Sequence, residues 1–258
     1  MASEQLRVLI TNDDGYQARG IRALARAIAG AGHDVVVVAP MTDQSGVGTA
    51  RAAWVDRPIA TNSEDADGIT YIGIDGTPAL AVTLGRLGSF GAPPDLVVSG
   101  INHGYNFGVI LHSGTVGAAL TAATQGLSGL AVSLGAEDPK HLETAAMISV
   151  ELIDWLRAEP SGTVLNVNVP DVALSDLTGV RNARLAPYNP SRLVAGLAPT
   201  GEPMAILRTP EPSADPDTDE CLLAAGYATL TPIVGIQDAP SQDDPARHLK
   251  SRWDNLSR

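Results

Sequence analysis

Val8-Leu9-Ile10-Thr11-Asn12-Asp13-Asp14-Gly15 is the first structured element that the sequence predicts. A short apolar run bounded by polar residues suits a buried parallel strand, and Asn-Asp-Asp-Gly ends it as a turn. Beyond the turn, Ile21, Leu24, Ala25 and Ile28 recur at helical spacing, with Gly30 and Gly32 as a stop. Val35 to Val38 and Pro40 follow. Strand, helix and strand inside the first 40 residues make a β-α-β unit, which requires a parallel pair with a right-handed crossover.

The alternation continues. Ile69 to Ile74 reads as a strand, and Pro78 to Leu87 as a helix entered through Asp75-Gly76-Thr77-Pro78, with Thr77 as cap and Pro78 in the first helical position. Leu96-Val97-Val98 reads as a buried strand followed by a loop rich in Gly and Asn. Ser113 to Gly126 looks helical and Leu130 to Leu134 strand-like. Leu142, Ala145, Ile148, Leu152, Trp155 and Leu156 mark an amphipathic helix, and Val164 to Val169 one more strand. The expected fold class is α/β, a Rossmann-like doubly wound sheet in three layers, with residues 1–170 as its core. From about Pro170 prolines multiply and an acidic stretch runs from Glu211 to Glu220. Residues 171–233 are expected to form hairpins or an arm that does not extend the main sheet. Residues 234–258 read as a C-terminal tail.

Composition excludes several classes. A formal net charge of −12 over 258 residues, with Lys140 and Lys250 the only lysines, disfavours a protein that coats duplex nucleic acid. Cys221 is the single cysteine, so neither an intrachain disulfide nor a Cys-based zinc site is available. No apolar stretch reaches the length of a membrane span and no secretory signal is visible, so the cytoplasm is the expected location.

In open α/β sheets ligands sit beyond the carboxyl ends of the strands. Three polar clusters lie there: Asn12-Asp13-Asp14-Gly15, Asp43-Gln44-Ser45-Gly46 and Ser99-Gly100-Ile101-Asn102. They offer carboxylates, a hydroxyl and a carboxamide, a hard-oxygen set suited to Mg²⁺ or Mn²⁺. Turn chemistry alone also produces Asp-Asp-Gly and Ser-Gly. Ser113-Gly114-Thr115 opens a helix after a glycine-rich loop, which makes either a phosphate seat or an ordinary Ser N-cap. Neither the G-x-x-x-x-G-K-[ST] nor the G-x-G-x-x-G pattern occurs. His112 is a secondary candidate for a general acid, against a plain loop role.

Taken jointly, Val8 to Gly15, Val38-Ala39-Pro40 with Ser45-Gly46, Asp75 to Pro78, Val97 to Asn102 and Ser113 to Ala119 resemble the survival protein SurE family of 5′/3′-nucleotidases. Order and spacing agree over about the first 135 residues; Leu165 to Pro170, Gly226-Tyr227 and Thr231-Pro232 extend a looser likeness. The resemblance implies one domain with a protruding hairpin arm, and a C-terminal tail exchanged between subunits of a homodimer or homotetramer. It also implies one divalent metal ion, Mg²⁺ or Mn²⁺, held by Asp13, Asp14, Ser45 and Asn102. Phosphate contacts are implied at Asn106, Ser113, Gly114 and Thr115, with Asp13, Asp14 and Asn102 at the reaction centre. The substrate implied is a nucleoside 5′- or 3′-monophosphate, hydrolysed by in-line attack of metal-polarised water. His112 stands where many members have Tyr, the loop Gly108 to Ser113 is one residue shorter, and Thr121 replaces the usual Glu. The altered loop at His112 keeps open a non-catalytic nucleotide- or metal-binding module that retains the pocket. A haloacid-dehalogenase-like phosphatase would need Asp-x-Asp, whereas here the carboxylates are adjacent.

Overall fold

In a computed structural model of the chain, the described residues are 5–51, 58–187, 193–207 and 213–235. The first β-α-β unit is β1 (Arg7–Thr11), α1 (Arg19–Gly30) and β2 (Asp34–Pro40). After it come β3 (Thr61–Ala66), β4 (Ile69–Ile74), α2 (Pro78–Arg86), β5 (Leu96–His103), α3 (Gly114–Thr124), β6 (Ser128–Leu134), α4 (Leu142–Ala158) and β7 (Val164–Val169). The second half adds β8 (Gly179–Asn182), β9 (Leu193–Leu197), β10 (Pro203–Leu207), α5 (Asp219–Ala224) and β11 (Tyr227–Ile233).

The main sheet has nine strands in the order β3-β4-β2-β1-β5-β6-β7-β11-β8. The run from β4 to β7 is parallel. The chain first builds outward from β1 through β2 to β4, then returns to lay β5 on the other side of β1. This reversal makes β1/β5 the topological switch point, where the carboxyl ends of two neighbouring strands leave a crevice. Thr11 pairs with Ser99 there, so the residues following both strands emerge side by side.

Apolar residues fill both faces. Ile21, Leu24 and Ile28 of α1 pack with Leu142, Ile153 and Leu156 of α4 over one face, and Leu80, Ala81 and Val82 of α2 with Ala118 and Ala122 of α3 over the other. The three-layer doubly wound core expected from the sequence is present.

The second half departs from expectation. β11 pairs antiparallel with β7, and β8 pairs parallel with β11, so the main sheet does continue past Pro170. The reason is visible in β7: all six of its residues are buried, and an uncovered edge would leave buried backbone groups unpaired. β9 and β10 form a separate antiparallel hairpin, the expected arm. The acidic stretch runs into α5, with Asp219 and Glu220 in its first turn, where carboxylates suit the helix dipole. β3 is polar but for Ala66, and it pairs with β4 through Asp67-Gly68, both at positive φ, a two-residue hairpin turn. β5 runs on to His103, with its pairing to β6 irregular between Ser99 and Asn102, so Asn102 lies on the strand and not in the following loop. Of the expected tail, all but Val234 and Gly235 lies outside the described residues.

Candidate active site

Asn12 accepts a hydrogen bond from the Gly15 amide through Oδ1 at 3.1 Å, closing the turn that ends β1. Gly15 has φ +105°, which a side-chain-bearing residue rarely adopts. The turn aims Asp13 at the start of α3. Asp13 is 3% exposed, and Thr115 donates its hydroxyl to Asp13 Oδ1 at 2.5 Å. The amides of Gly114 and Thr115 lie beside the same carboxylate. A Cβ at Gly114 would stand 2.7 Å from Asp13 Oδ2, so only glycine lets helix and carboxylate approach this closely. Burial raises the Asp13 pKa, and the Thr115 hydroxyl followed by the backbone amides opposes that shift.

Asp14 lies beside the end of β5, with the His103 backbone near its carboxylate. Its pKa is pushed up to about 7, first by burial and then by the charges of Asp13 and Asp43. Its Oδ2 is buried and has no hydrogen-bond partner among the described residues. The loop after β2 closes the third side. Asp43 Oδ1 accepts from both the amide and the hydroxyl of Ser45 at 2.7 Å. The Gln44 amide donates to the Asp13 carbonyl at 2.8 Å and Gly48 to the His112 carbonyl at 3.0 Å. Asn102 turns its Nδ2 to the Gly104 carbonyl at 2.8 Å, which leaves Oδ1 free to accept.

Among the described residues no three His, Cys, Asp or Glu side chains form a metal-holding group. The oxygen set here is of another kind, two carboxylates with the neutral oxygens of Ser45 and Asn102. A hard cation fits it: two neighbouring buried carboxylates repel each other, one buried oxygen has no donor, and a divalent ion answers both. A groove of about 510 Å³ between α1 and α4 lies apart from these residues. Each of its four cations already has a carboxylate partner, Arg19 and Lys140 at Asp138, Arg22 at Glu64 and Arg26 at Asp67, so the carboxylate cluster is the better guide to chemistry.

The family model of survival protein SurE matches residues 8–191. The chain belongs to that family. A protein named 5′-nucleotidase SurE from Methylococcus capsulatus is 38% identical over 235 residues, covering 88% of this chain and 91% of its own. One of the same name from Xanthomonas campestris pv. campestris is 39% identical over 244 residues, covering 88% and 89%. The crystal structure of SurE protein from Aquifex aeolicus superposes with a TM-score of 0.73 at 29% identity, over 96% of this chain and 99% of that one.

Within this SurE fold the residues singled out from sequence take distinct places. Asp13 and Asp14 follow β1, Asn102 lies at the end of the neighbouring β5, and the loop of Ser45 is pinned to Asp13 through the Gln44 amide. Of the α3 backbone amides expected to face a phosphate, Val116 is engaged, donating to Ser113 Oγ at 3.1 Å, while Gly114 and Thr115 lie beside the Asp13 carboxylate and help hold its pKa down. Thr115 is fully buried, with its proton on Asp13. Ser113 is the N-cap, and its own O–H remains to donate elsewhere. His112 ends an exposed 3-10 turn and contributes its carbonyl to Gly48. Thr121 bonds back to Gly117 O at 2.7 Å inside α3.

Asn106 is held more firmly than any sequence pattern suggested. Its amide donates to Asn168 Oδ1 at 2.8 Å, its carbonyl accepts from Asn166 Nδ2 and Asn168 Nδ2 at 2.8 Å each, and its Nδ2 donates to Ser133 at 2.9 Å. Asn166 and Asn168 are both fully buried. The signal for them was present as two asparagines two residues apart in an otherwise apolar strand, where a polar face must have a buried partner.

Proposed function

We propose that the chain is a divalent-metal-dependent phosphomonoesterase that hydrolyses nucleoside 5′-monophosphates, and 3′-monophosphates as a further substrate, in the cytoplasm. The observation that carries the reading is the Asp13–Asp14 pair at the switch point, with one carboxylate anchored on α3 and the other holding an unpartnered buried oxygen. The printed names of the relatives support the nucleotide substrate.

Asp13, Asp14, Ser45 and Asn102 would hold the ion. When bound, a divalent cation supplies Lewis-acid stabilisation of phosphoryl charge. Asp14 Oδ2 is the buried carboxylate oxygen with no donor from the protein, so it is the one that would face the ion and the water polarised there. Ser113 is the hydroxyl free to donate to the phosphoryl group, with the Gly114 and Thr115 amides beside it at the N-terminus of α3, while the Thr115 hydroxyl acts through Asp13. Asn106 presents its side chain from a backbone clamped on both sides.

The test is phosphate release from mixed nucleoside monophosphates after chelation and after Mn²⁺ or Mg²⁺ is restored. Activity is expected to vanish and return, and Asp13→Asn and Asp14→Asn are each expected to remove most turnover from a folded protein. Rescue by zinc alone, or near-wild-type rates in either variant, would overturn the reading. Ion and nucleotide binding without phosphate release would instead favour the non-catalytic module that the altered loop at His112 keeps open.

A further inference from the structure

The segment Gly104–His112 carries Asn106 and leads into the Ser113 cap, yet no helix or strand of its own holds its middle. Gly108 sits there with φ +61°, and a Cβ on it would lie 3.3 Å from the Ala186 carbonyl. Its amide donates to Asp219 Oδ2 at 3.0 Å. Asp219 belongs to the other end of the chain, in the first turn of α5, and is fully buried. Its second oxygen, Oδ1, accepts from the amides of Ala186 and Glu220, both at 2.9 Å. Asp219's own amide donates to the Arg184 carbonyl at 2.8 Å. Ala186 precedes the β9–β10 hairpin and Asp219 follows it, so one side chain ties both legs of the hairpin to the site segment.

The residue type is informative. Three N–H groups converge on two oxygens, and only a carboxylate offers two acceptor oxygens with lone pairs for all of them. A carboxylate in this buried place is disfavoured by lost hydration unless such bonds compensate, and the donors to it here are three backbone amides.

We propose that Asp219 is a positioning residue for the phosphate-side segment, fixing Gly104–His112 to the base of the hairpin so that Asn106 and Ser113 stay in register with the Asp13–Asp14 pair. The inference rests on the phosphomonoesterase reading. Asp219 touches none of the four proposed ion-holding side chains, so it acts on binding of the phosphoryl group through Gly108.

Asp219→Asn is the discriminating variant. Its carboxamide keeps an oxygen for Ala186 and Glu220 but sets an NH₂ against the Gly108 amide, so it cuts the segment link and spares the hairpin legs. Asp219→Ala loses all three bonds and serves as the control for a fold defect. In the full-length Mn²⁺-loaded protein, amide exchange across residues 104–112 is expected to accelerate about tenfold in Asp219→Asn, with β1 and β5 unchanged. KM for a nucleoside 5′-monophosphate and the inhibition constant of inorganic phosphate are expected to rise together about tenfold, the low end for a supporting partner, with kcat altered less. Unchanged exchange in 104–112 would overturn the proposal. So would faster exchange with both constants within twofold of wild type, or a smaller active fraction with KM intact, which is the mark of a stability role alone. If the wild-type protein releases no phosphate, the nucleotidase reading fails by itself. Exchange and calorimetric phosphate binding in Asp219→Asn then still decide the clamp.

Discussion

Gly114 is the glycine that the Asp13 carboxylate itself requires, because the first residue of α3 and the Asp13 carboxyl occupy nearly the same space. In Gly114→Ala the new Cβ would meet Asp13 Oδ2, Cβ and Cγ at 2.7, 2.8 and 3.0 Å, so the carboxylate must move. The substitution also favours helix by roughly 1 kcal/mol. A folded, thermally intact protein with Mn²⁺ affinity and kcat each reduced about a hundredfold is the expected result, read by metal titration and phosphate release. Thr115→Val, which removes only the hydroxyl on Asp13, is expected to weaken Mn²⁺ about tenfold. The pH dependence belongs to Asp14. Its folded pKa of about 7 lies above the ordinary 3.8, so between those values the native metal-free chain holds a proton that the unfolded chain has lost. Stability of the metal-free protein therefore falls as pH rises from about 4 to about 7 and levels off above. Ion binding needs the charged carboxylate and strengthens over the same window. Thermal unfolding with and without Mn²⁺ should show a larger stabilisation at pH 8 than at pH 5, and Asp14→Asn should flatten both trends. Asp13, Asp14 and Asn102 were legible in the sequence because polar residues after apolar runs sit at strand ends. The Thr115 partner was not, because a helix-opening hydroxyl reads the same whether it faces a ligand, a cap or a carboxylate 102 positions away.

The strands and helices of the parallel core were legible because each buries a continuous apolar run or stripe, a signal local to its own residues. β3 carries no such signal, being an exposed polar edge whose only cue was Asp67-Gly68. β8 and β11 join the main sheet because β7 needs a neighbour, a requirement set by tertiary surroundings. The loop after β2 depends on elements in the same way. Its place against α3 is set at Gly117, where a Cβ would stand 2.3 Å from the Gly48 carbonyl oxygen. Gly117→Ala is expected to push that loop away, and Ser45 with it. The helix gains propensity while the site loses an oxygen, so the melting temperature should hold while Mn²⁺ affinity falls about tenfold. A drop in melting temperature with unchanged Mn²⁺ affinity would mean that the loop only packs and does not serve the ion.

At the scale of the whole molecule, the four proposed ion-holding residues lie between Asp13 and Asn102, while their supports extend to Asn168 and Asp219. The first half thus supplies chemistry and the second half supplies constraint. No helix among the described residues is long and apolar enough to cross a membrane. The hairpin leaves Leu197, Met204 and Ile206 exposed, and the segment beyond Gly235, outside the described residues, adds Leu249, Trp253 and Leu256. Apolar side chains concentrated on an arm and a terminal segment suit burial between subunits, and we propose a homodimer or homotetramer on that ground. Deleting residues 236–258 is then expected to lower the particle mass in light scattering. Because every named support of the site precedes Gly235, the truncated chain should keep kcat within a few-fold while losing assembly. Polar replacement of Met204 and Ile206 on the hairpin should act separately, lowering mass without the truncation if the arm is a second contact. An unchanged mass in both variants, or a full-length protein that is monomeric, would refute the assembly proposal. Loss of turnover in parallel with mass would show that subunit contact, and not the chain's own second half, holds the site in place.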